Sequence, residues 1–139
     1  MVRRGDPSGR LRSALSDEHG SAPVEFVLVG GLLTLLTLAV IQLALAVYVR
    51  NVVHDAAVEG AFHAALADTS LADGQERTRE LVSRAVGETY ARDIVVQEAE
   101  VAGSAAVRVT VRTTVPLVGL WGLDGAMEVG GSAPVESLE

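Results

Sequence analysis

The sequence predicts an α+β fold in which a long N-terminal helix crosses a membrane and continues outside it, a second short helix follows, and about three antiparallel strands form a small sheet. Three observations carry this expectation. An almost uncharged stretch runs from Phe26 to Val49; small apolar residues then recur at helical spacing as far as Ala65; and from Ile94 the apolar period becomes two. At about 24 residues and 1.5 Å per residue the uncharged stretch makes a helix roughly 36 Å long, enough to cross a ~30 Å hydrocarbon core with some tilt.

Residues Met1 to His19 show no sustained apolar period and include Gly5, Asp6, Pro7, Ser8 and Gly9, the pattern of a loosely structured leader. Gly20 punctuates it. Pro23 suits the first turn of a helix, where its missing N–H has no partner to lose. Glu25 is expected in the same turn, where the helix dipole favours a carboxylate. Beyond the uncharged stretch, Val52, Val53, Ala56, Ala57, Gly60, Ala61, Ala64 and Ala65 keep the three- and four-residue spacing, so one helix is expected from about Pro23 to Ala67. Its outer half carries a stripe of Ala and Gly that lets another element approach the backbone closely. Asp68, Thr69, Ser70, Asp73 and Gly74 are expected to end it.

Asp73 with Glu76 three positions on resembles a capping box and signals the second helix, with Leu81, Val82, Ala85, Val86, Thr89 and Tyr90 on one face. Glu80 with Arg84 and Glu88 with Arg92 are i,i+4 pairs in the favourable order on a solvated face. In the sheet, Val107, Val109, Val111 and Val115 alternate with Arg108, Thr110, Arg112 and Thr114, so one face is buried. Ile94 to Val101 is the expected partner across Gly103-Ser104. Setting Val101 opposite Val107 places Glu98 and Glu100 on the face of Arg108 and Arg112. Pro116 closes that strand, Gly119, Gly122 and Gly125 interrupt the next stretch, and Met127, Val129, Ala133 and Val135 form a weaker last strand.

The net charge of −7 is unevenly spread. Before the span, Arg3, Arg4, Arg10 and Arg12 are nearly balanced by Asp6, Asp17, Glu18 and Glu25; after it, acids outnumber arginines roughly two to one. Basic residues near a span set its orientation while acids count for little, so the N-terminus is expected in the cytoplasm and the rest outside, with Arg50 opposing this mildly. The expected division is a basic cytoplasmic leader at 1–20, a transmembrane helix at 21–49 and an outer helix-plus-sheet head at 50–139. The lipid bilayer is thus a partner, and nucleic acid is not, because no clustered basic surface is present to neutralise phosphates. The chain has no cysteine, so it offers neither a disulfide framework nor a thiolate metal site. All its basic residues other than histidine are arginine.

Catalytic readings fail on spacing. Glu59 and His63 share a helix face at i,i+4, but two ligands do not close a metal site and His54 lies too far round the helix to complete it. No nucleophile elbow or phosphate-binding glycine loop is present. Neither an enzyme nor a cofactor is expected. A cleavable secretory signal ending at Ala44-Leu45-Ala46 conflicts with the length of the apolar run, since signal h-regions span roughly 7 to 15 residues. Arg3-Arg4 is too short to read as a twin-arginine signal.

Processing at the other end of the span fits the residues better. The segment Gly20-Ser21-Ala22-Pro23-Val24-Glu25-Phe26 resembles the junction of type IV prepilin-like proteins, which a dedicated peptidase cuts after glycine on the cytoplasmic side. The resemblance implies Ser21 as the mature N-terminus and Glu25 as a carboxylate that meets the N-terminal amine of a neighbouring subunit. A carboxylate inside an apolar bundle is costly unless paired. Read without the resemblance, Gly20 is a helix stop and Glu25 complements the dipole at the membrane surface. At the outer end, Tyr48-x-Arg50-Asn51 followed by Ala56-Ala57-x-Glu59-Gly60-Ala61 completes a resemblance to the TadE-like family, pilin-like minor components of the tight-adherence, or Flp-type, pilus and secretion apparatus. It is close from Gly20 to about Ala65 and loose beyond Asp68. It implies pilin-like subunits, pilus assembly membrane proteins and a prepilin-type peptidase as partners. Gly30-Gly31 departs from the bulky apolar residues and proline common in that region of the family; it reads as a bend, a helix contact or an ordinary pair.

Leu117, Val118, Leu120, Trp121 and Leu123 form an apolar cluster near the end of the head. Two roles fit: Trp121 as a partner contact, or the whole cluster folded back on the long helix as core, which the scarcity of large apolar residues in the head favours. The function expected from these features is that of a pilin-like minor subunit or assembly component acting through its helix. The alternative is a static single-pass membrane protein whose head binds an envelope partner.

Overall fold

The computed structural model describes residues 21–114 and 127–135. Helix α1 spans Ser21–Ala65 and helix α2 spans Leu71–Val86; a short 3-10 turn at Glu88–Ala91 leads into strands β1 (Asp93–Val101), β2 (Ser104–Thr113) and β3 (Met127–Pro134). The strands form one antiparallel sheet in the order β1-β2-β3. The expected α+β architecture, with one long helix, one short helix and three antiparallel strands, is the observed one. The chain divides after Val40 into two units. In the first, every described residue is exposed.

The second unit, from Ile41 onward, holds the core. Alternation on the sheet is strict where it faces that core: Val107, Val109, Val111 and Thr113 on β2, and Met127, Val129, Gly131 and Ala133 on β3, are buried, while their neighbours in sequence are mostly exposed. Helix α1 contributes Val49, Val53, Ala56, Ala57, Gly60, Ala61, Ala64 and Ala65, the small-residue stripe read from the sequence. The largest fully buried side chains are Val53, Val82, Val109, Val111 and Thr78. With no large side chain at its centre, this core fills its volume by bringing backbones together.

Two close approaches achieve that. Where α1 meets α2, a Cβ added to Gly74 would stand 2.7 Å from the Gly60 carbonyl oxygen, and a Cβ added to Gly60 would collide with Thr78 Oγ1. The Thr78 hydroxyl is buried in this crossing and donates to the Gly74 carbonyl at 2.8 Å, so it brings no unsatisfied polar group with it. Where α1 meets β3, a Cβ at Gly131 would stand 2.7 Å from the Ala57 carbonyl carbon. Helix α1 therefore lies against both neighbours with glycine at the contacts.

Several expectations change in detail. Helix α1 is already helical at Ser21, the first described residue, and it ends at Ala65 rather than Ala67. Thr69 Oγ1 donates to the carbonyls of His63 and Leu66, the latter at 3.1 Å, satisfying acceptors that the last turn leaves open. Asp73 and Gly74 lie inside α2 instead of ending α1. The capping box begins three residues before the expected Asp73-Glu76 pair: Ser70 is the N-cap, its hydroxyl accepts from the Asp73 backbone N–H at 3.2 Å, and its own backbone N–H donates to the Asp73 carboxylate at 2.9 Å. Serine wins because its short hydroxyl reaches the third backbone N–H of the helix it caps. Glu80 and Arg84 form the expected pair at 2.6 Å. Glu88 lies in the 3-10 turn beyond the helix end, and it forms no ion pair with Arg92.

The hairpin register also differs. Val101 pairs with Ser104 rather than Val107, and Glu98 pairs with Val107. The displacement of three is odd, and an odd slip exchanges the two faces of a strand. Glu98 and Glu100 therefore leave the face of Arg108 and Arg112. Arg112 is matched instead by Glu128 at 2.9 Å on β3 and Asp93 at 3.9 Å on β1. The hydrogen bond that Arg112 donates to Glu128, the charge of Glu128 and that of Asp93 raise the guanidinium pKa above its ordinary value. The cause of the register is the turn. Ala102 and Gly103 both have positive φ, 53° and 81°, the two-residue loop whose twist matches that of the strands.

Two outcomes are expected. Gly74→Ala should destabilise the full chain by about 1–3 kcal/mol through overpacking against the Gly60 carbonyl, against the gain of about 1 kcal/mol that alanine brings to an open helix position; thermal unfolding in detergent micelles measures the sign. The Ser70 hydroxyl and backbone hydrogen bonds hold the Asp73 carboxyl below its ordinary value. Stability from this group is thus present above the unfolded-state value of about 3.9 and is lost as pH falls through the lower folded one. Asp73→Asn should flatten the dependence of stability on pH across that acid window and leave the slope at neutral pH unchanged.

Candidate assembly helix

The inner part of α1 is an apolar rod with its polar groups closed upon themselves. Its most apolar 18-residue window has a mean hydropathy of 2.4 and none of it is buried. Phe26 is 80% exposed, and Val27, Leu28, Leu35 and Leu43 are exposed as well. Thr34 Oγ1 donates to the Gly30 carbonyl and Thr37 Oγ1 to the Leu33 carbonyl, each at 2.8 Å. Such hydroxyls offer no unmet donor to hydrocarbon. By length and composition α1 can cross a membrane once.

Glu25 is the only residue charged at neutral pH on α1 before Arg50. Its carboxylate accepts a hydrogen bond from the Ser21 hydroxyl at 3.4 Å. One hydroxyl is a weak substitute for water around a carboxylate, and a charge in an apolar setting needs an opposite charge as well. Glu25 and Ser21 thus stand one helical turn apart, with Phe26 beside them, as the sequence places them. Gly20 lies outside the described residues, as does Trp121 with the rest of its apolar cluster. Nothing within 4 Å would meet a Cβ on Gly30 or Gly31.

The outer motif separates into two sets of residues. Ala56, Ala57, Gly60 and Ala61 are buried and build the head. Tyr48, Arg50, Asn51 and Glu59 are exposed. Glu59 accepts from Arg77 Nη2 of α2 at 3.3 Å, so its carboxylate joins the two helices beside the Gly60 crossing. His63 lines the same shallow cleft with Asp73, Glu76 and Glu80. Among the described residues no group of three or more His, Asp or Glu side chains stands together as a metal site.

Residues 20–61 match the family model for TadE-like protein. The matched segment begins at Gly20 and ends at Ala61, the last residue of the Ala-Ala-x-Glu-Gly-Ala motif. It covers the whole apolar rod and most of the buried Ala and Gly stripe. No curated protein and no solved structure matches the chain.

Sequence reasoning missed contacts that join distant parts of the chain. Arg77 as the partner of Glu59 carries no signal beyond its place on the solvated face of α2. His54 Nδ1 lies 3.1 Å from the Gly130 carbonyl of β3, so this histidine ties helix to strand. It also borders a groove of about 690 Å³ on the outer sheet face, with Gln97, Arg108, Thr110, Arg112 and Ser132. Only the clustering of Gly130 and Gly131 hints that an element passes close there.

The Glu59–Arg77 pair is solvent-exposed on both sides, and such pairs contribute roughly 0–1 kcal/mol. Glu59→Ala is therefore expected to leave the thermal unfolding of the full chain nearly unchanged, as read by circular dichroism in micelles.

Proposed function

We propose that this chain is a pilin-like minor subunit or assembly component of a type IVb, tight-adherence pilus or secretion apparatus, and that it acts by helix-mediated assembly rather than by catalysis. The observation that carries the reading is the union of the TadE-like match at residues 20–61 with an apolar rod, exposed from Ser21 to Ile41, whose one carboxylate, Glu25, has a single hydroxyl partner among the described residues. In the proposed sequence of events the leader stays in the cytoplasm, the head crosses, and a prepilin-type peptidase cuts between Gly20 and Ser21. Cleavage exposes an ammonium on Ser21. That ammonium, brought by a neighbouring pilin-like subunit, pairs Glu25 and sets the register of helix against helix. The apolar rod then exchanges lipid for other helices, an exchange favoured by packing and by small residues rather than by escape from water.

Mass spectrometry of the protein purified from membranes should find a mature chain beginning at Ser21. A static anchor whose head binds an envelope partner would begin at Met1 and a secreted head near Val47, and either result overturns the proposal. With the peptidase present, Glu25→Ala should abolish incorporation into the apparatus, read by co-purification with other pilus components, and unchanged incorporation would refute the pairing.

A further inference from the structure

We propose that the outer face of the sheet binds an acidic sugar, a hexuronate, with Arg108 taking its carboxylate. Strand β2 sends Arg108, Thr110 and Arg112 to this face, and the register sets two cross-strand neighbours beside each of them. The two arginines have different surroundings. Arg112 stands between Asp93 and Glu128, and its guanidinium is paired with both, at 3.9 and 2.9 Å. Arg108 stands between Gln97 and Ser132, both neutral, and among the described residues it takes part in no ion pair.

The row between the two arginines is Val95, Thr110 and Gly130. Gly130 puts no side chain on this face, so the groove of about 690 Å³ reaches the β3 edge, where His54 and Val58 of α1 wall it. The Gly130 carbonyl can only accept, so at 3.1 Å it takes the proton of His54 Nδ1 and leaves Nε2 to a ligand. Glu128 is the acid among the lining residues, and Arg112 holds its carboxylate. The volume falls within the range of small-molecule sites, roughly 300–1,000 Å³.

Each part of a uronate has a counterpart here. A guanidinium holds a carboxylate through two parallel N–H bonds. The Gln97 amide and the Thr110 and Ser132 hydroxyls each donate and accept, as sugar hydroxyls do, and Val95 and Val58 offer apolar surface to the C–H face of a ring. A carboxylate on a peptide side chain needs only the guanidinium; the amide and hydroxyls around Arg108 favour a ligand that carries hydroxyls beside its acid. With a net charge of −7 the chain as a whole repels anions. Attraction is therefore local, and Arg108 is its source. The site lies on the head and is independent of how the rod assembles.

The test titrates the full chain, held in zwitterionic micelles free of sugar headgroups, with trigalacturonate, with the neutral galactose trimer and with triglutamate, read by calorimetry. Trigalacturonate should bind about tenfold or more tightly than either of the others. Arg108→Gln should weaken it by about tenfold, whereas Arg84→Gln, the same change of charge on α2, should leave it unaltered. Gly130→Leu fills the groove at a position where an added Cβ meets only the Val109 carbonyl, at 3.5 Å; it should abolish binding and leave thermal unfolding unchanged. Triglutamate binding as tightly as trigalacturonate would make Arg108 a general carboxylate contact, and the neutral trimer binding as tightly would leave Arg108 without a role. Either result overturns the proposal. So does a failure of trigalacturonate to bind the unaltered chain, or undiminished binding by an Arg108→Gln chain that circular dichroism shows to be folded.

Discussion

Close approach of the α1 backbone to its neighbours is the constraint on which the head depends. A core made of valine and alanine has little side-chain volume, and it reaches interior packing density only if helix and sheet come near enough to replace bulk with backbone. Gly60 and Gly74 permit this at the helix crossing and Gly131 permits it at the strand. Each glycine faces backbone within 3 Å, joined at the helix crossing by the Ala64 Cβ and Thr78, so side-chain rotation alone cannot make room for an added methyl group. The family motif acquires a physical meaning from this: its Ala-Ala and Gly-Ala positions are the surface on which the head is built.

The same helix serves two environments in sequence. From Ser21 to Ile41 its residues are exposed on all sides, and its threonine hydroxyls donate to its own carbonyls. Outward of Val49 one face is covered by α2 and the sheet, and the opposite face carries Asn51, Asp55 and Phe62 toward solvent. Phe62 is 54% exposed and Leu66 is 40% exposed, a cost in water that contact with other helices would remove. Both the inner rod and this outer face are surfaces that a single copy leaves unfilled.

Polar groups in the head act as ties between elements. Gln75 Nε2 donates to the Ile94 carbonyl at 2.6 Å, joining α2 to β1. His54 joins α1 to β3, and Arg112 spans all three strands through Asp93 and Glu128. Exposed pairs of this kind contribute little energy singly. Their effect is to hold the position of elements whose apolar contacts, being made of small and similar residues, specify position weakly.

The sequence by itself determined the element types and their order, because periods of three to four and of two are local properties of the chain. It also determined the core stripe of α1, since Ala and Gly at those positions leave no other face to bury, and it placed Ser21, Glu25 and Phe26 together on one helix end. Tertiary structure decided the rest. The turn at Ala102-Gly103 rather than Gly103-Ser104 was settled by backbone handedness and strand twist, and it moved Glu98 and Glu100 to the other face. Ser70 is the cap in place of Asp73, and the two close a reciprocal capping box at the start of α2. The pairing of Glu59 with Arg77 exists only where two helices separated in sequence are brought together. No local pattern encodes such a crossing; it follows from which surfaces can approach without collision.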